Sequence, residues 1–372
     1  MDQLNSLMTD KRITPIDGLR GIAILMVLVG HLFIDPFSKQ IQCFSPLLLN
    51  ISKCYPWGVL LFFVVSGFLI GGILLRNTPS KAFVKAFYIR RIIRIWPLYY
   101  FLIIFVVGGL YCVNKQLPSM ITPFWSYMVF LQNWWSNTQY YHLIEAGVTW
   151  TLAIEEQFYL LAPLLLIGAT NNKVKIIAAI SLVIAFILRI FSHVGVIIPI
   201  HNHLFNLSWH NPSFLTYVDV ILLGVVGAAI YKSKAFPYFK RYTFLVFPIL
   251  GLLIYLAAIT PTNIWMTSCL PDIVGVLFMG LILLITASDT FINRALCNRV
   301  LVCLGQRCYF LYLFHIVVMI NIQQTFMDIG WNNMFYANSL SLLLTIAAAL
   351  LSWKLIEYPL MRYAKSRYPY SP

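Results

Sequence analysis

The chain of 372 residues is 60% hydrophobic and only 10% charged, against roughly 25% charged residues in soluble domains, and its mean hydropathy is +0.81. A soluble fold of this length cannot hide that much apolar surface, so a soluble enzyme, a disordered chain and a disulfide-stapled secreted module are excluded. The surplus of 26 Lys and Arg over 12 Asp and Glu comes without a nucleic-acid-binding signature and reads as basic loops on the cytoplasmic side of a membrane protein.

The first 15 residues are polar, so no cleavable signal peptide is expected ahead of the first apolar run. Crossing a bilayer takes about 17 to 25 apolar residues. Ten such stretches follow one another: 16–34, 57–75, 95–113, 150–168, 174–192, 216–231, 243–259, 271–287, 300–320 and 334–354. The stretch 120–135 is apolar but broken by Pro123, and reads as an aromatic interfacial or re-entrant segment. With the N-terminus inside and the spans alternating, all but four of the 26 Lys and Arg fall on the cytoplasmic side. The exceptions are Lys39, Lys53, Lys115 and Arg189. That bias predicts both termini in the cytoplasm. The predicted fold is all-α and polytopic, with about ten transmembrane helices. Residues 1–372 read as a single integral-membrane domain, because no loop is long enough to hold a soluble one.

Charged side chains inside spans are costly and mark function or helix locking. The first span carries Asp17-Gly-Leu-Arg20 and then His31. Eleven residues at about 100° each return to nearly the same helix face, with a rise of roughly 16 Å. One stripe therefore holds a guanidinium near the cytoplasm and an imidazole near the outer side. The next span holds Ser66-Gly67-Phe68, which lacks a G-x-S-x-G elbow. Ser66 there reads as part of a close helix approach.

Ahead of the third span, Arg90-Arg91-Ile-Ile-Arg94-Ile-Trp-Pro97 sets a guanidinium one turn before Arg94. Positive-inside anchoring accounts for part of this cluster, but guanidinium forks are also the preferred partners of phosphates. The fourth span opens as Trp150-Thr-Leu-Ala-Ile-Glu155-Glu156-Gln-Phe-Tyr159. Glu155 and Tyr159, four apart, share a face near the outer end. Arg189, Asp219 and His315 also fall in outer halves of their spans. With His31 and Glu155 they make one layer of ionisable groups, either reactive or a set of paired polar residues that locks the bundle. Lys354 and Glu357 fall on the inner side with the arginines.

Cys43 and Cys54 could be bridged in an oxidising compartment. No zinc-ligand spacing, Walker A loop, G-x-G-x-x-G fingerprint or H-E-x-x-H helix occurs.

Taken in order, Arg20-x10-His31, Ser66-Gly67-Phe68, Arg90-Arg91-x-x-Arg94-x-x-Pro97, Trp150-Thr-Leu-x-x-Glu155-x-x-Phe158-Tyr159, His315 and Glu357-x-Pro359 form a set. The set resembles membrane acyltransferase family 3, the O-acyltransferases that decorate bacterial surface glycans. The likeness runs from about residue 13 to 360. Thr151 stands where that family often has Ser. Many relatives carry an extracytoplasmic SGNH-type esterase domain, and this sequence shows none. The resemblance implies a multi-pass protein of the bacterial cytoplasmic membrane, with acyl-CoA, usually acetyl-CoA, as cytoplasmic co-substrate. It implies no permanently bound cofactor and no metal. The acceptor would be the hydroxyl of a glycan or lipid-linked glycan, such as lipopolysaccharide O-antigen or exopolysaccharide. Membrane lipid is the surrounding partner, and nucleic acid is not one.

On this reading Arg20, Arg90, Arg91 and Arg94 bind the donor phosphates. His31 is the base, Glu155 orients it, and His315 is catalytic with them. Tyr159 or Trp150, or His315 itself, donates to the oxyanion. Asp17, Ser66, Asp219 and Glu357 support the site. The alternative is a transporter or flippase for a lipid-linked sugar or proton-coupled solute, which would use the same polar layer without needing the ordered motifs.

Overall fold

A computed structural model describes residues 13–52, 54–113, 124–134, 144–194, 197–200, 203–206, 213–259, 263–287, 290–331 and 333–370. Helix α1 (Thr14–Val29) has Pro15 in its first turn, where a missing N–H costs nothing, and runs into one π-helical turn, Gly30–Ile34. Two short helices follow, α2 (Ser38–Phe44) and α3 (Pro46–Ser52), then α4 (Trp57–Leu74) and the long α5 (Lys81–Val113). The aromatic stretch that reads as non-spanning folds as a five-residue helix, α6 (Phe124–Met128), and a 3-10 turn, Gln132–Trp134. Next come α7 (Trp150–Leu166) and α8 (Asn171–Val194). A small antiparallel hairpin of β1 (Ile197–Ile200) and β2 (His203–Asn206), with Ile197 opposite Asn206, is added to the all-α plan.

The second half holds α9 (Val218–Lys232), α10 (Val246–Ala258) led by a 3-10 stretch Phe236–Leu245, and α11 (Ile264–Ala287). It continues with α12 (Phe291–Leu296), α13 (Arg299–Asp328) and α14 (Met334–Ser352). A second π turn, Trp353–Glu357, leads into α15 (Tyr358–Arg367).

Each of the ten expected spans coincides with a helix. Among the described residues, seven helical stretches are long and apolar enough to cross a membrane: Thr14–Ile34, Leu47–Leu74, Asn171–Ser192, Phe236–Ala258, Ile264–Ala287, Arg299–Asp328 and Met334–Arg367. The other three fall on α5, α7 and α9. Helices α7 and α9 have 17 and 15 residues. At about 1.5 Å per residue they are shorter than the roughly 30 Å hydrocarbon layer. Helix α5 is long enough; its first half carries five cations, Lys81 to Arg94, and its second half is the uncharged expected span.

Two compact units form, and each is discontinuous in sequence. The first comprises Met1–Arg76, Ala169–Leu182 and Asp219–Cys308; the second comprises Asn77–Gly168, Val183–Val218 and Tyr309–Pro372.

In the first unit, small residues set the packing. A methyl group on Gly67 of α4 would overlap the Ile221 carbonyl of α9, and one on Gly224 of α9 would overlap the Val64 carbonyl of α4. The two backbones thus touch through facing glycines, as in small-residue membrane packing. Helix α1 uses the same device. Gly18 and Gly21 lie against the Leu296 and Leu301 carbonyls, and Gly305 lies against the Asp17 carbonyl. The buried face of α1 is Ile16, Leu19, Ala23, Ile24, Val27 and Leu28. In the second unit, Leu98, Tyr99, Leu102 and Ile103 of α5 and Phe158 and Ala162 of α7 are buried.

Candidate active site

The glycine contacts of α1 bring its polar residues onto α13. Arg20 lies 3.6 Å from the Asp17 carboxylate and donates to Cys308 Sγ at 3.0 Å. Both members of the ion pair are nearly buried, at 13% and 7% side-chain exposure. Arg20 is therefore held by its own unit as well as being a candidate for donor phosphates. Ser66 sits beside the Gly67 contact, in keeping with a packing role for this turn. Asp219 is fully buried at the start of α9, where its Oδ1 accepts the Val220 backbone N–H at 2.8 Å.

His31 is the second residue of the π turn that ends α1. Its Nδ1 faces Asp35 Oδ2 at 3.4 Å, and Asp35 accepts from the Tyr55 hydroxyl at 2.7 Å. The imidazole meets the Tyr55 ring edge-on at 5.3 Å. Burial alone would push the Asp35 carboxyl up, but hydrogen bonds from His31 and Tyr55 and the His31 charge hold it below its ordinary value. The sequence reading missed Asp35 and Tyr55. The i,i+4 spacing of His31 and Asp35 was the available signal. Cys43 and Cys54, the candidate bridge, are both free thiols.

In the second unit, α5 and α7 join what the sequence suggested were separate inner and outer clusters. The Arg91 guanidinium lies 5.7 Å from the Tyr159 ring centre and equally far from Phe87. It lies within electrostatic reach of Tyr370 and Glu156. Glu156 Oε2 accepts from the Trp96 indole at 3.2 Å, and among the described residues its Oε1 is buried without a hydrogen bond. Glu155, the expected partner of Tyr159, accepts its hydroxyl at 2.9 Å. Tyr309 donates to the Ile95 carbonyl at 2.7 Å and stands among Glu156, Tyr99, Glu357 and Arg94. The inner-side arginines thus run directly into the start of α7. Glu156, Trp96, Tyr309 and Tyr370 are the members that sequence reasoning missed.

Arg90 donates to the Lys365 carbonyl at 3.3 Å and stacks at 3.9 Å on Tyr370, which also packs on Phe83. Glu357 is buried in the second π turn and accepts from Ser352 at 3.1 Å. Trp150 opens α7 with its ring 5.4 Å from Tyr217. Arg189 is buried and donates twice to the Thr216 carbonyl, at 3.1 and 2.7 Å, so it clamps the turn that carries Tyr217. Thr151 donates to the Tyr312 hydroxyl at 2.9 Å, a bond that a serine would also make.

His315 is fully buried on α13, and its Nδ1 lies 2.8 Å from the Tyr312 carbonyl and 3.1 Å from that of Leu311. Carbonyl oxygens only accept, so Nδ1 carries a proton. In the neutral ring Nε2 is then a lone pair. Neutral, His315 can take a proton there; once protonated, the same atom becomes a donor, so all three donors left open by the sequence remain.

A family profile described as "Acyltransferase domain" matches residues 13–355. The chain belongs to this acyltransferase family. The matched range contains every residue singled out from the sequence as a candidate except Glu357. A Staphylococcus aureus (strain COL) protein named "Putative O-acetyltransferase" is 27% identical over 365 residues, covering 92% of this chain and 56% of the relative. A Bacillus subtilis (strain 168) protein named "Putative peptidoglycan O-acetyltransferase" is 27% identical over 377 residues, covering 93% of this chain and 54% of the relative. An uncharacterized Haemophilus influenzae protein is 36% identical over 149 residues, 36% of this chain and 60% of that one. This acyltransferase-family chain spans about half the length of the longer-matching relatives. No solved structure matches it.

Proposed function

We propose that the chain is an integral-membrane O-acyltransferase of the bacterial cytoplasmic membrane. It moves an acyl group, most simply acetyl, from cytoplasmic acyl-CoA to a sugar hydroxyl of a surface polysaccharide or its lipid-linked precursor. Arg90, Arg91 and Arg94, with Arg20, take the CoA phosphates. His31 is the general base, with Glu155 and His315 completing the catalytic set. The observation that carries this reading is the placement of His31. Its Nδ1 lies 3.4 Å from the Asp35 carboxylate, an arrangement in which Nε2 would be the basic atom of a neutral ring.

The reaction then runs in balanced steps. Neutral His31 Nε2 takes the proton of the acceptor hydroxyl as its oxygen attacks the thioester carbonyl. A tetrahedral oxyanion forms, and the Trp150 indole N–H is a donor in keeping with its stabilisation, whereas Tyr159 would first have to release Glu155. Collapse breaks the C–S bond. The CoA thiolate leaves and takes the proton back from the imidazolium.

The test is the mass of surface glycans from cells with and without the protein, paired with transfer from labelled acetyl-CoA in membranes. A one-acetyl mass difference and labelled glycan are expected. Identical glycans and no label transfer would overturn the reading.

A further inference from the structure

The turn that presents His31 is not an ordinary helix end. Gly30–Ile34 is π-helical, closed by the Asp35 N–H donating to the Gly30 carbonyl at 3.0 Å. Such wide turns recur at functional sites because they re-aim side chains. A methyl group on Gly30 would overlap the Tyr55 ring, so the glycine is what lets Tyr55 reach this turn. The ring then meets His31 edge-on, and its hydroxyl ends on Asp35. Helix α3, which packs on the π turn, brings no titratable side chain. The charged residues on α1 itself, Asp17 and Arg20, are paired with each other.

We propose that Asp35 and Tyr55 are positioning residues for His31: Tyr55 fixes the Asp35 carboxylate, and Asp35 fixes the Nδ1–H tautomer of His31 so that Nε2 is offered to the acceptor hydroxyl. This rests on the reading of His31 as the base. Asp35 takes no proton at any step. When Nε2 accepts the hydroxyl proton, the resulting imidazolium is stabilised by the adjacent carboxylate. When the thiolate reclaims that proton, the ring returns to its starting tautomer. The carboxylate is half exposed, which makes the contact weaker than a buried one. Its effect is directional, because a rotated or flipped ring would aim a protonated nitrogen at the acceptor.

The experiment uses the full chain in membranes, with acetyl-CoA as donor and the native surface glycan as acceptor. His31→Gln, Asp35→Asn, Asp35→Glu and Tyr55→Phe are compared with the wild type at matched membrane abundance. Loss of transfer in His31→Gln establishes the base. If the wild type transfers and His31→Gln transfers equally well, the underlying reading fails, whatever Asp35 does.

Given an essential His31, Asp35→Asn should lower kcat by about tenfold or more while KM for acetyl-CoA stays unchanged. A fall in kcat at unchanged KM is the split that a merely structural loss, which lowers the amount of folded protein, would not give. Asp35→Glu should restore part of kcat. Tyr55→Phe keeps the ring and loses only the hydroxyl, so it remains readable if Asp35→Asn fails to accumulate, and kcat should fall by a few-fold. Wild-type kcat in Asp35→Asn would overturn the proposal. If only Tyr55→Phe accumulates, an unchanged kcat there would overturn it.

Discussion

The Arg91 guanidinium lies 5.7 Å from the centre of the Tyr159 ring. This ties the basic helix α5 to the acidic opening of α7 within one unit. Tyr159 holds Glu155 through its hydroxyl, and Arg91 feels Glu156.

Arg94 tests the donor end. Arg94→Ala should weaken acyl-CoA binding by about ten- to a hundredfold, the loss of one charge-assisted contact. Membrane abundance should hold. Unchanged donor affinity at normal abundance would return the arginine cluster to topology anchoring.

Arg20 should behave differently. It is engaged by Asp17 and Cys308 inside its own unit. Arg20→Ala takes the guanidinium from a buried carboxylate, a change that costs on the order of 3–5 kcal/mol. Lower membrane abundance is therefore expected along with weaker donor binding. Normal abundance measured by quantitative blotting would show that Asp17 does not depend on it.

Glu156 carries a signed prediction. Glu156→Gln keeps an acceptor for the Trp96 indole but removes whatever carboxylate charge acts on Arg91. Donor binding should tighten by about two- to tenfold, up to one pK unit's worth of interaction. Weaker binding in a titration with labelled acetyl-CoA would contradict the arrangement.

Gly67→Ala and Gly224→Ala each force a methyl group into a neighbouring carbonyl. Overpacking of this kind costs about 1–3 kcal/mol or more. Both variants should lose thermal stability in detergent. Ser66→Ala, next to the same contact, should lose far less.

The topology has its own check. A reporter fused after Pro372 should report cytoplasm, and one at Asn137, which lies outside the described residues, should report the exterior. An external C-terminus would undo the orientation drawn from the charge bias.

The helices were legible in the sequence because apolar run length and positive-inside bias are strong signals. So was the Glu155–Tyr159 pair, which follows from helix spacing. The joining of the arginine cluster to α7 was not, because it depends on how α5 and α7 pack, and neither Trp96 nor Glu156 carries a pattern that names its partner. Asp35 was overlooked for a different reason. It lies just beyond the first apolar run, where a carboxylate looks like an ordinary loop residue, and only the π turn and Tyr55 draw it to His31. His315 was legible as a polar residue in a span. Its tautomer is a matter of three-dimensional contact with two carbonyls.

The most direct test of the central claim is acyl transfer from labelled acetyl-CoA to the surface glycan by membranes holding equal amounts of wild type and His31→Gln. Glutamine can keep a hydrogen bond but has no useful basicity. The account predicts labelled glycan with the wild type and a loss of at least about 10²-fold with His31→Gln, while donor binding survives in both. Near-normal transfer by His31→Gln at normal abundance would contradict it and leave His31 as a structural hydrogen-bond partner.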